Sequence, residues 1–215
     1  MKKFVVAIDG PVAAGKGTLG RRVANYFGFA YLDTGALYRA VAMRMLRSRD
    51  ALEDVKAMVK QARAINLDDL EELELRSEAT GKAASIIAPK IELRNALIEY
   101  QRKFANQPPG QAQGAVLDGR DIGTVVCPDA EVKLFVTASS ETRAIRRHAE
   151  LIANAQDISL DAVRVDLLKR DQRDSNRATS PLTQAKDAHL LDTTKMDIEA
   201  AFQAALGIVI AQKEI

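Results

Sequence analysis

The stretch "DGPVAAGKGTLG", Asp9 to Gly20, can be read in two ways, and the choice decides the fold. From Gly10 it approaches G-x-x-x-x-G-K-[ST], a loop that wraps nucleotide phosphates. From Gly15 it is G-x-G-x-x-G, the dinucleotide fingerprint. Residues 4–8, "FVVAI", are continuously apolar and β-branched, as a strand covered on both faces would be. That strand ends near Asp9. A dinucleotide fingerprint puts its first glycine where strand turns into helix, yet six residues, Gly10 to Gly15, intervene here and Pro11 interrupts them. A phosphate loop needs that length, because its backbone N–H groups surround an anion and deliver it to a helix N-terminus. It also gives Lys16 a role. Asp33, eighteen residues past Gly15, is the feature that favours the dinucleotide reading. The phosphate loop is preferred, with Gly10, Pro11, Val12, Ala13, Ala14, Gly15, Lys16, Gly17 and Thr18 forming it. Gly17 stands where many such loops carry a Ser or Thr ligand for Mg²⁺. The ion is therefore expected on phosphate oxygens and waters, with no protein metal ligand and with Thr18 nearer the α-phosphate.

Outward from the loop, "TLGRRVANYFG" reads as a helix with Leu19, Val23 and Phe27 on one face and Gly28 as its stop. Further strands are expected at 29–33, 114–118, 131–136 and 188–193, and helices at about 35–47 and 197–213. Thr194 with Asp197 three residues on has capping-box spacing for the last helix. Its Ile198, Ala201, Phe202, Ala205, Leu206 and Val209 form an apolar stripe. Strands alternating with helices imply a mainly parallel sheet covered on both faces. Ligands bind such sheets at the carboxyl ends of the strands, where Asp9-Gly10, Asp33-Thr34 and Asp118-Gly119-Arg120-Asp121 are expected to converge.

The 215 residues suit one domain, with core segments 1–49, 108–154 and 181–215, a mostly helical insert at 50–107 and a charged lid at 155–180. A net charge of +2 argues for neither a nucleic-acid nor a membrane partner. The single cysteine, Cys127, excludes an internal disulfide framework and fits a reducing cytoplasm. It reads as a small buried side chain, and Lys2 and Lys3 as a solvated terminus. No apolar run approaches the roughly eighteen residues of a membrane span.

Phosphoryl transfer needs positioned positive charge more than covalent chemistry. "RVDLLKRDQRDSNRATSPL" supplies Arg164, Lys169, Arg170, Arg173 and Arg177, with Arg170, Arg173, Asp174 and Arg177 at helical spacing. It reads either as a lid over phosphates or as a solvated helix laced with Asp166–Arg170 and Arg170–Asp174 pairs. In "LDGRDIGT", Arg120 suits an acceptor phosphate and Asp121 an exocyclic amine such as cytosine N4, unless the segment is only a salt-bridged turn. The absence of N-K-x-D and of D-x-x-G after a strand counts against a GTP-hydrolysing switch.

"IDGPVAAGKGTLGRRVANYFGFAYLDTGALYRAVA", "LDGRDIGTVVCPDAEVKLFVTASSETRAIRR" and "RDQRDSNRATSPL" together resemble bacterial cytidylate kinases, over about Val5 to Phe202. The resemblance implies a three-layer P-loop NTPase fold, with a five-stranded sheet, a short helical acceptor-binding insert and an arginine-rich lid. It implies transfer of the γ-phosphoryl group of ATP, with Mg²⁺, to CMP or dCMP, by a cytoplasmic monomer. Lys16 would bridge to the transferred group. Asp33 would face the acceptor and Arg39 would lie near the catalytic centre. Thr34 takes the place of a serine that contacts cytosine; Arg94 and Asp121 would recognise the base and Ser85 the sugar. Arg120 and Arg177 would hold phosphates, while Arg170 and Asp174 would contact the ribose 2′-hydroxyl. A kinase for another monophosphate and a nicotinamide-dependent oxidoreductase are the rival readings.

Overall fold

The structure, a computed structural model, describes residues 2–66, 68–71, 75, 77–153, 155–176 and 180–213. Five strands form one sheet: β1 (Phe4–Asp9), β2 (Ala30–Asp33), β3 (Gly114–Gly119), β4 (Val132–Thr137) and β5 (His189–Asp192). Their order is β2-β3-β1-β4-β5. β1 pairs in parallel with β3 and β4, and β4 with β5. The central position of β1 explains why "VVAI" lacks polar alternation: Val6, Ala7 and Ile8 are fully buried.

Helix α1 (Lys16–Phe27) follows β1. After β2 come α2 (Thr34–Ser48), α3 (Val55–Arg63), α4 (Glu78–Ile87) and α5 (Ile91–Asn106). Helices α6 (Ser140–Ala153) and α7 (Leu160–Ser175) separate β4 from β5, and α8 (Ile198–Lys213) ends the described chain. A five-stranded sheet flanked by helices is the expected three-layer α/β class.

By internal contacts the chain divides into two compact units, 1–32 with 105–215, and 33–104. In the first, α1 and α8 bury Leu19, Val23, Phe202, Leu206 and Val209 with Val6, Ile8 and Leu134 of the sheet. A Cβ on Gly20 would stand 2.9 Å from the Tyr31 ring, so α1 can lie on β2 only without one. Four features differ from the sequence expectations. The last helix is capped by Asp197, whose Oδ1 accepts from Ala200 N at 2.7 Å. Thr194 is engaged instead with Asp192 and with Ser139 N. Ile198 leaves the apolar stripe and is 62% exposed. At the amino end, Lys2 pairs with Glu131 at 2.6 Å, and Lys3 donates to Ala112 O at 2.9 Å. Cys127 is half-buried.

In the unit 33–104, α2 packs against α3 and α4, burying Leu37, Val41, Met45, Met58 and Ile87. Arg44 makes a bidentate pair with Asp69. Every described element wholly within 50–104 is helical, including a 3₁₀ turn at Asp68–Glu71.

Candidate active site

β1 hands over to the loop at Gly10, where a Cβ would stand 1.9 Å from Val136 O of β4. No side chain fits that approach, so the loop must begin with glycine. Gly10, Ala13 and Gly15 all have positive φ, at 148°, 61° and 92°. Such left-handed residues let successive N–H groups line one concavity suited to an anion. Helix α1 starts immediately after it, at Lys16. The Lys16 side chain is buried over the loop, with Nζ donating to Pro11 O at 2.8 Å. This wide loop closed by a lysine has the shape expected of a phosphate loop. A dinucleotide turn would have put the helix at the strand's end, six residues earlier.

The loop is held from three directions within its unit. Val12 packs on the small cluster of Ala144, Leu151, Val163 and Leu167 between α6 and α7. Arg143, with a side chain only 7% exposed, donates to Val12 O at 3.3 Å and Ala138 O at 3.0 Å. Its other face grips Asp171 of α7 at 3.1 and 2.6 Å. Thr193 Oγ1, beyond β5, lies 3.2 Å from Ala14 O. None of these contacts has a sequence motif; Arg143 and Thr193 were missed because their partners are far away in the chain.

Next to β1, β3 ends in the segment 118–121. Asp118 is buried and accepts from Tyr31 Oη at 2.5 Å. A Cβ on Gly17 would stand 3.5 Å from that Asp118 carboxylate and 3.3 Å from Arg21. Arg120 Nε donates to Asp174 of α7 at 2.9 Å. The Asp166–Arg170 pair expected within the helix is present at 2.9 Å. For Asp174 the sequence offered Arg170 as its ion-pair partner; the structure turns its buried carboxylate to Arg120, fifty-four residues away. Burial lowers the Arg170 pKa, and the neighbouring cations Arg147 and Arg173 act in the same sense, against the opposing pull of Asp166 and Asp174.

Asp121 is buried and opens a π-helical turn, Ile122–Val126, without capping it through its own side chain. That cap comes from Asp9, which accepts from Ile122 N at 2.8 Å and Gly123 N at 2.7 Å. Burial pushes the Asp9 pKa up to about 6, against the lowering pull of those two amides; Asp121 adds to the rise and Lys16 opposes it.

In the unit 33–104, Asp33 caps α2 by accepting from Ala36 N at 3.2 Å and pairs with Arg39 at 2.8 Å. Thr34 is buried in the first turn, and Ser85 is half-buried on α4. Arg94 is buried on α5, its guanidinium 6.0 Å from the Tyr38 ring centroid. Arg177 lies outside the described residues. Among the described residues no cluster of three His, Cys, Asp or Glu could hold a metal ion, and no helix is long and apolar enough to cross a membrane.

A family model for cytidylate kinase matches residues 6–210. The chain belongs to the cytidylate kinase family. Among its relatives, a cytidylate kinase of Xanthobacter autotrophicus is 53% identical, covering 98% of this chain and 99% of its own. One from Rhizobium meliloti is 54% identical, covering 97% and 96%. Solved structures share the fold at low identity. An uncharacterized protein of Eubacterium ventriosum superposes with a TM-score of 0.57 at 10% identity, covering 97% of this chain and 99% of its own. TT1252 of Thermus thermophilus gives 0.50 at 18% identity, covering 96% and 98%.

Proposed function

We propose that this chain is an enzyme that transfers the γ-phosphoryl group of ATP to CMP or dCMP, giving the diphosphate. The observation that carries the reading is the phosphate loop closed by Lys16, in a chain of the cytidylate kinase family. The acceptor's own phosphate oxygen attacks in line, so no strong general base is needed. Lys16, Arg120 and Arg177 neutralise the charge that spreads over the transferred group. Gly10 to Thr18 cradle the ATP phosphates. Asp33 and Arg39 serve the acceptor phosphate region. Thr34, Arg94 and Asp121 read the base, while Ser85, Arg170 and Asp174 meet the sugar.

The residues suit a Mg²⁺ that arrives with the nucleotide: Gly17 supplies no hydroxyl after Lys16, and the described residues offer no ready-made acidic cage. When bound, the ion screens the β- and γ-phosphate charge. We further read the protein as a cytoplasmic monomer, in keeping with its single cysteine and its family resemblance, that engages neither nucleic acid nor membrane, in keeping with its small net charge of +2.

The test is a coupled ADP-release assay with ATP against a panel of nucleoside monophosphates. CMP and dCMP should turn over well above UMP, AMP and GMP. No ADP release with any pyrimidine monophosphate would overturn the reading, and tight NADH binding without ATP binding would replace it with an oxidoreductase.

A further inference from the structure

Two carboxylates one turn apart on α7, Asp171 and Asp174, are each taken by an arginine from another element. Residues at i and i+3 share a helix face. Arg120, from the end of β3, holds Asp174 at 2.9 Å. Arg143, from the first turn of α6, holds Asp171 at 3.1 and 2.6 Å. A helix pinned at one point can pivot there, whereas two pins fix its direction. The Arg143 guanidinium also reaches two backbone carbonyls, Ala138 O through Nε at 3.0 Å and Val12 O through Nη1 at 3.3 Å. Nη1 serves both Val12 O and Asp171 Oδ1, so the group that holds the loop is the group that holds the helix. The Val12 side chain adds a second contact to α7, through Val163 and Leu167. The neighbouring loop carbonyls have supports of their own: Pro11 O accepts from Lys16 Nζ at 2.8 Å, and Ala14 O lies 3.2 Å from Thr193 Oγ1.

From this arrangement we infer that Arg143 is a positioning residue for phosphoryl transfer: it registers α7, with its Arg170 and Asp174, against the phosphate loop at Val12. The inference rests on the proposed reading of the loop as the donor cradle and of α7 as the carrier of acceptor contacts. It accounts for the residue type. A planar fork can meet a carboxylate along one edge and still offer donors to two carbonyls, which a lysine ammonium on a flexible stem cannot do in one geometry. It also accounts for the burial, because a side chain only 7% exposed cannot relax sideways when α7 shifts. Transfer depends steeply on such registration: a misplacement of about 1 Å between reacting groups can cost on the order of a hundredfold in rate.

The experiment compares the wild type with Arg143→Met, Arg143→Lys, Asp171→Asn and the double variant Arg143→Met/Asp171→Leu. It reads the rate of transfer from ATP to CMP in single turnovers at saturating nucleotide, the Kd for ATP by calorimetry, and unfolding in urea. Assays run at a temperature at which circular dichroism shows each variant folded. Asp171→Asn sets an amide donor against the guanidinium and leaves the Val12 and Ala138 bonds alone. Transfer should slow roughly tenfold while the Kd for ATP stays within about twofold. Arg143→Met should slow transfer at least as much and also raise the Kd for ATP roughly fivefold, the worth of the released Val12 bond. Arg143→Lys should regain part of the stability lost in Arg143→Met without regaining transfer, since it restores the charge and not the fork. The double variant strands no charge, yet its transfer should stay as slow as that of Arg143→Met. Transfer that tracks stability from variant to variant makes Arg143 a structural residue only and overturns the inference. So does an Asp171→Asn rate within about twofold of the wild type, or an ATP Kd that moves as far in Asp171→Asn as in Arg143→Met. Should Arg143→Met fail to fold, Asp171→Asn and Arg143→Lys decide on the same criteria. A wild type that transfers nothing to CMP refutes the proposed function and the inference with it. An active wild type beside an equally active Asp171→Asn refutes only the role of Arg143.

Discussion

Replacing Arg143 by methionine removes a cation that ties the phosphate loop, the end of β4 and helix α7 together. Methionine keeps most of the aliphatic bulk, so little cavity opens. Four hydrogen bonds disappear, two to backbone carbonyls at Val12 and Ala138 and two to the Asp171 carboxylate. Breaking a fully buried pair from one side costs about 3–5 kcal/mol, because the surviving charge is stranded. Asp171 retains 26% side-chain exposure, so water takes over part of its solvation, and the expected loss is about 2–3 kcal/mol. Urea unfolding of the wild type, Arg143→Met, Asp171→Leu and the double variant closes a double-mutant cycle. The double variant should lose less than the sum of the singles by about 1–2 kcal/mol, since no charge is left without its partner. An Arg143→Met variant within about 0.5 kcal/mol of the wild type, or strict additivity, would refute the idea that this pair anchors α7.

Lys16→Met should leave thermal stability and circular dichroism near wild type yet remove most turnover; near wild-type kcat would mean the loop is not the catalytic cradle. Asp121→Ala should relax the choice between CMP and UMP more than it weakens ATP binding, as read from the two sets of KM and kcat values. Gly20→Ala should destabilise by about 1–3 kcal/mol in thermal unfolding, because the added methyl meets the Tyr31 ring and the phenol is held by Asp118. Asp9 carries a signed pH effect. Its folded pKa lies above the ordinary 3.8, at about 6, so the folded state binds the extra proton and Asp9's contribution to stability falls as pH rises through this window. Relative to Asp9→Asn, the wild type should therefore gain about 1 kcal/mol between pH 7 and pH 5. A relative loss on acidification would contradict the burial argument.

The strands, the phosphate loop and the helix after it are legible in the sequence because local signals agree there. "FVVAI" is too apolar for an edge strand, and six residues of loop are too long for a dinucleotide turn. Gly28 marks the end of α1 because its φ of 65° favours glycine. The cap of α8 was assigned to the wrong residue for a local reason. Thr194 and Asp197 both suit an N-cap, and only the bonds of Thr194 to Asp192 and Ser139 decide between them. The supports of the candidate site were not legible. Asp9 to Ile122, Tyr31 to Asp118, Arg120 to Asp174 and Arg143 to Val12 are each more than fifty residues apart, so no spacing along the chain signals them. Gly20 gave a signal that periodicity could not interpret, since its reason is a ring on the neighbouring strand.

The last turn of α8 brings Lys213 Nζ within 5.5, 5.1 and 4.9 Å of the ring centroids of Phe4, Phe27 and Phe29. Phe4 begins β1, whereas the phosphate loop leaves from that strand's other end. The first and last described elements therefore meet at the pole of the sheet remote from the loop. Lys213→Ala should therefore loosen the amino end of β1, where Phe4, Phe27 and Phe29 gather, and leave the loop at the strand's other end undisturbed.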